Sequence, residues 1–225
     1  MLSNRLIQIA KLIDNNKVVF DVGSDHALLP CFLLRNNICE KVYAGEISEG
    51  PFNKVKDTIK KYHYEGKLIP VFSDGLQNAS DDVEVVVIAG MGFYTIKHIL
   101  DNCDVDKYDY FIVQSNTDVN LLRQYISDHN YTILDEVVVK DGFYYQIVKF
   151  CSKFHEKYSD LEIKYGPKNI EKRDEEFINY LIDYKNRLID VNVRANKEEY
   201  RQIISEINEL LVYNVKRWGY MYEQL

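Results

Sequence analysis

The 225-residue chain contains no stretch of about 18 or more consecutive apolar residues, so no membrane-spanning helix is expected. Its opening, MLSNRLIQIAKLID, is amphipathic rather than continuously apolar and does not read as a signal peptide. Cysteine is sparse. Cys31, Cys39, Cys103 and Cys151 are widely spaced, with no CxxC, which argues against a zinc site or a disulfide framework and suits a reducing cytosol. No metal is expected. No G-x-G-x-x-G cradle for a pyrophosphate occurs, which argues against a nicotinamide oxidoreductase. There is no internal repeat or low-complexity tract, and no repeated interface pattern forces an oligomer, so a monomer is expected. Nor is there a surplus of positive charge. Net charge is −7, with 15 Lys/Arg against 21 Asp/Glu in residues 1–150 and 13 against 14 in residues 151–225. That average opposes a protein coated for nucleic acid, yet it leaves room for a local basic face.

What the chain does have is a repeated strand-then-helix pattern. Leu2, Leu6, Ile9 and Ile13 fall at helical spacing. Strands are predicted at Val18–Val22, Val42–Ile47, Leu68–Phe72, Val83–Ala89 and Tyr110–Val113, with helices at His26–Arg35, Gly50–Ile59, Ile96–Leu100 and Leu121–Ser127 between or after them. The β-branched run VEVVVIA suits a strand covered on both faces. Tyr131–Val139 and Phe143–Phe150 flank Lys140-Asp141-Gly142 and read as an antiparallel hairpin. The implied fold is α/β: five strand–helix alternations in a mostly parallel, doubly wound sheet with an antiparallel edge. Residues 151–168 read as polar and irregular. Beyond them Phe177, Tyr180, Leu181, Tyr184 and Leu188, and then Tyr200, Ile203, Ile204, Ile207, Leu210 and Leu211, mark two long amphipathic helices. They form a helical hairpin resembling a coiled coil. The predicted domains are residues 1–153 and 154–225.

Five strand ends carry polar or glycine signatures: Asp21-Val22-Gly23-Ser24-Asp25-His26, Glu46, Asp74-Gly75, Ala89-Gly90-Met91-Gly92 and Gln114-Ser115-Asn116. In an open α/β sheet these ends share one rim, where ligands bind. The first loop is rich in carboxylates, which repel phosphate and suit cationic or hydroxyl groups. Glu46 ends the second strand, placed to accept bonds from both ribose hydroxyls. Asp74 suits an exocyclic amine of adenine. The set fits a nucleoside with a zwitterionic tail and a positive centre, a description that S-adenosyl-L-methionine meets.

VVFDVGSDHALLP, AGEISEGP, DGL, VIAGMG and QSN, in that order and spacing, resemble the bacterial tRNA (adenine-22-N1)-methyltransferase family, TrmK. The resemblance runs from Leu2 to about Phe150 and loosely into the helical hairpin. It implies a Rossmann-like class I methyltransferase sheet and S-adenosyl-L-methionine as cofactor. It also implies tRNA as partner, a cytoplasmic setting and a helical region that aids tRNA binding. Cofactor contacts are expected at Asp21, Gly23, Ser24, Asp25, His26, Glu46, Ile47, Asp74, Gly75, Ala89, Gly90 and Met91. The chain departs from the family pattern at Phe93, Ser115 and Leu28, where a glycine, a proline and an aromatic are usual.

Asp25 and Asn116 are the catalytic candidates: Asp25 as the carboxylate that stabilises the cationic product, Asn116 as a partner of the base edge. Phe93, Tyr94 and Tyr144 are candidates to stack on an extruded adenine. Cations for the RNA backbone are offered by Lys164, Lys168, Lys172, Arg173, Lys185, Arg187, Arg194, Lys197, Lys216 and Arg217. Two alternatives stand beside this reading: a methyltransferase of the same fold acting on a non-RNA substrate, and a non-catalytic cofactor- or RNA-binding module.

Overall fold

The structure, a computed structural model, describes residues 2–222, with side chains described as far as residue 212. It contains two compact units, Met1–Lys168 and Asn169–Leu225.

Helix α1 (Asn4–Lys11) begins where the Ser3 hydroxyl accepts the Leu6 N–H. Then follow β1 (Val19–Val22), α2 (Leu28–Arg35), β2 (Val42–Glu46), α3 (Glu49–Tyr62), β3 (Leu68–Phe72) and β4 (Val85–Met91). After these come α4 (Phe93–Asp101), β5 (Tyr110–Ser115), α5 (Val119–Asp128) and the hairpin of β6 (Thr132–Asp141) and β7 (Phe143–Cys151). The strands form one seven-stranded sheet in the order β3-β2-β1-β4-β5-β7-β6. β1 to β5 run parallel and β7 pairs antiparallel with both β5 and β6. Successive crossovers lead away from β1 in one direction, then from β4 in the other. The carboxyl ends of β1 and β4 therefore flank the switch point of the sheet, where a crevice opens.

Strand period 2 divides the core into two layers. Val19, Val42, Val85, Val87 and Ile112 pack with Ile9 of α1, Leu29 and Leu33 of α2 and Val55 of α3. The intervening Phe20, Val86, Ile88, Phe111 and Val113 pack with Ile96 and Ile99 of α4 and Leu122 and Ile126 of α5. Both faces are covered, which is why the central strands read as unbroken apolar runs.

Three expectations are corrected. The alternations number four rather than five, because Ser73–Glu84, between β3 and β4, holds turns and no helix. The helix after β1 starts at Leu28, not His26, because Asp25, His26 and Ala27 adopt positive φ (28°, 57° and 56°), which an α-helix cannot contain. The segment read as irregular holds α6 (Asp160–Tyr165) and the start of α7 (Pro167–Lys172). A capping box between Ser159 and Glu162 starts α6. The first compact unit runs to Lys168; α6 packs on α5, and Arg123 Nη1 donates to the Ile163 and Lys164 carbonyls.

In the second unit α8 (Glu175–Ala195) and α9 (Glu198–Tyr222) pack together across a short turn at Asn196, φ 48°. Lys185 donates to Asn208 and Arg173 to the Leu210 carbonyl, so the two helices run antiparallel. Phe177, Leu181 and Leu188 of α8 and Ile207 and Leu210 of α9 are buried. Among the described residues, no helix is long and apolar enough to cross a membrane.

Candidate functional site

The crevice at the switch point is built from four loops, and one carboxylate organises the first two. Glu46, at the end of β2, is buried. Its Oε1 accepts the Ser24 hydroxyl at 3.2 Å and the Asp25 N–H at 2.8 Å. The Gly23 and Ser24 N–H groups donate to the Gly45 carbonyl at 2.9 and 3.3 Å. β1 is thus turned sharply over the end of β2. Gly23 at φ 67° makes the turn, and a Cβ there would lie 2.6 Å from Met91 Cε of the β4 loop. The run of three non-glycine residues at positive φ that follows is held in place by these bonds. Strain of this kind concentrates at ligand-binding and catalytic loops.

Asp21 sits one strand over from Glu46 and is 5% exposed. Burial, and then the neighbouring Glu46 charge, push its carboxyl up to about 8. Two acids side by side in a buried place form a site that favours a positive charge between or beside them. Such pairs cluster at functional sites.

β3 joins through the Ser73 N–H, which donates to the Glu46 carbonyl at 2.9 Å. Ser73 is buried, whereas Asp74 is exposed at the lip. Ile47 is also at the lip, 63% exposed.

The other side is made by β4 and β5. A bulge at Gly90, φ 81°, interrupts their pairing between Ala89 and Met91. Into this gap Gln114, wholly buried, sends its Oε1 to accept the Gly90 N–H at 3.1 Å. Gln114 Nε2 donates to Asn116 Oδ1 at 3.0 Å, and Asn116 Nδ2 donates to the Gly90 carbonyl at 2.7 Å. The Asn116 N–H donates to the Met91 carbonyl at 2.8 Å. Met91 therefore links the β1 loop to the Asn116 loop.

The structure thus gathers Asp21, Gly23, Ser24, Glu46, Ala89, Gly90, Met91 and Asn116 at one rim, with Ile47, Asp74 and Gly75 on its β3 side. It does not gather every side chain. The Asp25 side chain is 78% exposed, and among the described residues its carboxylate meets only the His26 ring, at 3.5 Å. His26 turns toward α3, with Nε2 3.4 Å from Lys54 Nζ. Phe93 is a core residue at 6% exposure, whereas Tyr94 is 73% exposed. Of the basic candidates, Arg173 turns into the helical hairpin, and Lys216 and Arg217 lie outside the residues whose side chains are described.

Two residues escaped sequence reasoning. Gln114 stands in a strand-end motif, but its role as the plug of the β4 bulge appears only with the pairing register. Arg5, on α1, carries no motif that singles it out in the sequence. In the structure its N–H donates to Asp141 Oδ2 at 3.1 Å, its guanidinium lies over the Tyr145 ring, and its Nη1 donates to Gln114 Oε1 at 2.8 Å. Among the described residues no cluster of His, Cys, Asp and Glu could hold a metal.

A doubly wound sheet with a carboxylate-lined switch point defines a class, and residues 2–148 match the methyltransferase domain family, to which the chain belongs. Within that class it belongs to the TrmK family. It is 32% identical to Mycoplasma capricolum TrmK, solved with S-adenosyl-homocysteine, at TM-score 0.79 over 95% of this chain and 97% of that one. A Streptococcus pneumoniae chain solved with S-adenosyl-L-methionine is 25% identical, at TM-score 0.84 over 94% of this chain and 100% of that one. The Bacillus subtilis tRNA (adenine(22)-N(1))-methyltransferase is 34% identical over 152 residues. That match spans 65% of this chain and 63% of the relative's length.

Proposed function

We propose that this chain transfers the methyl group of S-adenosyl-L-methionine to N1 of an adenine in tRNA, position 22 in the D-loop region. The observation that carries the reading is the buried Asp21–Glu46 pair at the switch point, held by a strained loop. A ligand bearing an ammonium group and ribose hydroxyls fits that donor set; a dinucleotide pyrophosphate does not. The family to which the chain belongs supports the same choice.

When bound, the cofactor supplies an electrophilic methyl carbon on a sulfonium centre. The chain's own residues bind and orient. Asp21 and Glu46, with the backbone of Gly23–His26, hold the charged tail and ribose, while Ile47, Asp74 and Gly75 border the base. Ala89, Gly90 and Met91 close the site from β4. Adenine N1 is nucleophilic without prior deprotonation, so positioning is the main task, worth up to about 7–11 kcal/mol. Asn116 presents its amide to the base edge, in an orientation fixed by Gln114 and the Gly90 carbonyl. Asp25, exposed at the outer edge of the loop, stabilises the positive charge that the methylated base acquires. Tyr94 is the aromatic free to stack on an extruded base. The helical region supports the tRNA with Lys185, Arg187, Arg194 and Lys197. The protein acts as a cytoplasmic monomer.

The test is incubation of methyl-labelled cofactor with unmodified tRNA, followed by mapping of the product nucleotide. One labelled N1-methyladenosine at position 22 is expected. Label on another nucleotide or on no RNA, or binding of both ligands without transfer, overturns the reading.

A further inference from the structure

A cavity lies away from the crevice, between α2 and α3. It is an open groove of about 670 Å³. Arg35, Lys61 and His26 line it together with Tyr62, Tyr64 and Leu28, and no carboxylate does. Arg35 and Lys61 are exposed and have no ion-pair partner among the described residues. Tyr62 and Leu28 are 52% and 54% exposed. The Tyr62 and Tyr64 rings lie 6.2 Å apart and are inclined by 32°. The charge is local and runs against the chain as a whole. α3 carries Lys54, Lys56, Lys60 and Lys61 against Glu49 and Asp57, and α2 adds Arg35 with no acid. The protein's net charge is −7.

The groove also has a direction. His26 and Leu28 flank Ala27, the left-handed cap of α2, in the same loop whose Asp25 N–H is fixed by Glu46. One end therefore opens beside the crevice. Arg35 closes α2 at the other end, about 12 Å along the helix axis. Cations spaced along a groove with exposed aromatic rings match a nucleic-acid strand: phosphates meet the cations, and bases have π-faces to lie on. An apolar helix of a protein partner would leave Arg35 and Lys61 against hydrocarbon.

We propose that the α2–α3 groove binds the sugar–phosphate backbone of the RNA substrate as it leaves the crevice. The proposal rests on the tRNA reading above and adds a contact surface within the first unit, separate from the helical hairpin. The experiment uses the full chain and the pair Arg35→Glu/Lys61→Glu, with Arg35→Gln/Lys61→Gln as the milder variant. tRNA affinity is measured from about 50 to 200 mM salt by filter binding, and S-adenosyl-L-methionine affinity by calorimetry. Charge reversal is expected to weaken tRNA binding about 10-fold or more and to flatten the log–log salt slope by about 1.5, the share of two phosphate contacts. The glutamine pair gives a smaller loss. Cofactor affinity and melting temperature stay as in the wild type, because both side chains are exposed. Unchanged tRNA affinity and slope in the reversed pair overturns the proposal and leaves the groove to an acidic protein partner. A wild type that binds no tRNA at any salt overturns the functional reading as well, so the two failures are distinct.

Discussion

Arg123 Nε lies 2.6 Å from Glu136 Oε1, and both side chains are wholly buried. The pair joins α5 to β6 and does more besides. Arg123 Nη2 donates to Gln146 Oε1 at 2.6 Å on β7, and Glu136 Oε2 accepts the Lys168 N–H at 3.0 Å. With the Ile163 and Lys164 carbonyls also bonded to Nη1, one ion pair anchors residues 160–168 to the edge of the sheet. Removing one partner strands a buried charge, which destabilises by about 3–5 kcal/mol. Arg123→Ala is therefore expected to lower unfolding free energy by that amount and to open the 153–168 segment to limited proteolysis. Arg123→Leu/Glu136→Leu, which removes both charges, loses less. Urea titration checks both. A loss below about 1 kcal/mol for the single variant contradicts the anchoring role.

Asp21 gives a pH dependence with a definite sign. Its carboxyl is raised from 3.8 to about 8 in the folded chain. Between those values the native state keeps a proton that the unfolded chain releases. The resulting stability is complete below about pH 4 and is lost as pH rises through about 8, by up to about 1.4 kcal/mol per pH unit. Asp21→Asn is neutral at every pH and removes this slope. The ligand-free variant should melt higher than the wild type at pH 8 and much like it at pH 4. The same variant should bind S-adenosyl-L-methionine about 10-fold or more weakly, since a charge-assisted bond is lost. Calorimetric melts across pH 4–8 decide the first point. A wild type–variant difference that stays flat over that range refutes the buried-acid account.

These two acids show what the sequence made legible. Asp21 and Glu46 stand at the ends of short apolar runs, so their place on the rim followed from strand period and topology alone. The parallel sheet, the closing hairpin and the two long helices followed in the same way, because burial writes its period into the chain. The β1–α2 loop was not legible in detail. Nothing local in Ser-Asp-His-Ala announces three left-handed residues, which are imposed by bonds to Gly45 and Glu46 more than twenty residues away in sequence. Arg123 is not singled out in the Leu121–Ser127 helix for the same reason: its partner lies on another strand. Long-range pairing of polar groups leaves no periodic trace.

Arg5 is a case of such pairing with a consequence for turnover. It reaches Gln114 Oε1, which also takes the Gly90 N–H, while Gln114 Nε2 fixes Asn116. Arg5 thus positions the Asn116 amide without approaching the substrate itself. Arg5→Ala is expected to lower kcat by about 10- to 100-fold, the range a misplacement near 1 Å produces. The Kd for S-adenosyl-L-methionine should stay within about twofold, because the Asp21–Glu46 side is untouched. Gln114→Ala should lower kcat to a similar extent, and the double variant should lose little more, as expected of groups acting through one network. Steady-state kinetics with tRNA measures all three. Additive losses, or a loss confined to KM, would mean that Arg5 contacts RNA instead.

Gly23 tests whether close approach of the β1 and β4 loops sets cofactor affinity. Its φ of 67° disfavours any side chain by about 1–2 kcal/mol, and an added Cβ would meet Met91 Cε at 2.6 Å. Backbone strain alone should lower the melting temperature of Gly23→Ala by about 2–8 °C. The second effect is local. Met91 must move, and its carbonyl holds the Asn116 N–H, so the displacement spreads along the β4 side of the crevice. Cofactor affinity should fall by about 10-fold or more for a lost or distorted contact. Met91→Ala removes the atom that the new methyl strikes while leaving φ as it is. In the Gly23→Ala/Met91→Ala variant the melting temperature should remain low, but the affinity loss should be smaller than the sum of the two single losses. Titration calorimetry on the four proteins of this cycle measures the coupling. Strict additivity would show that the two loops act independently and that Gly23 serves the turn alone.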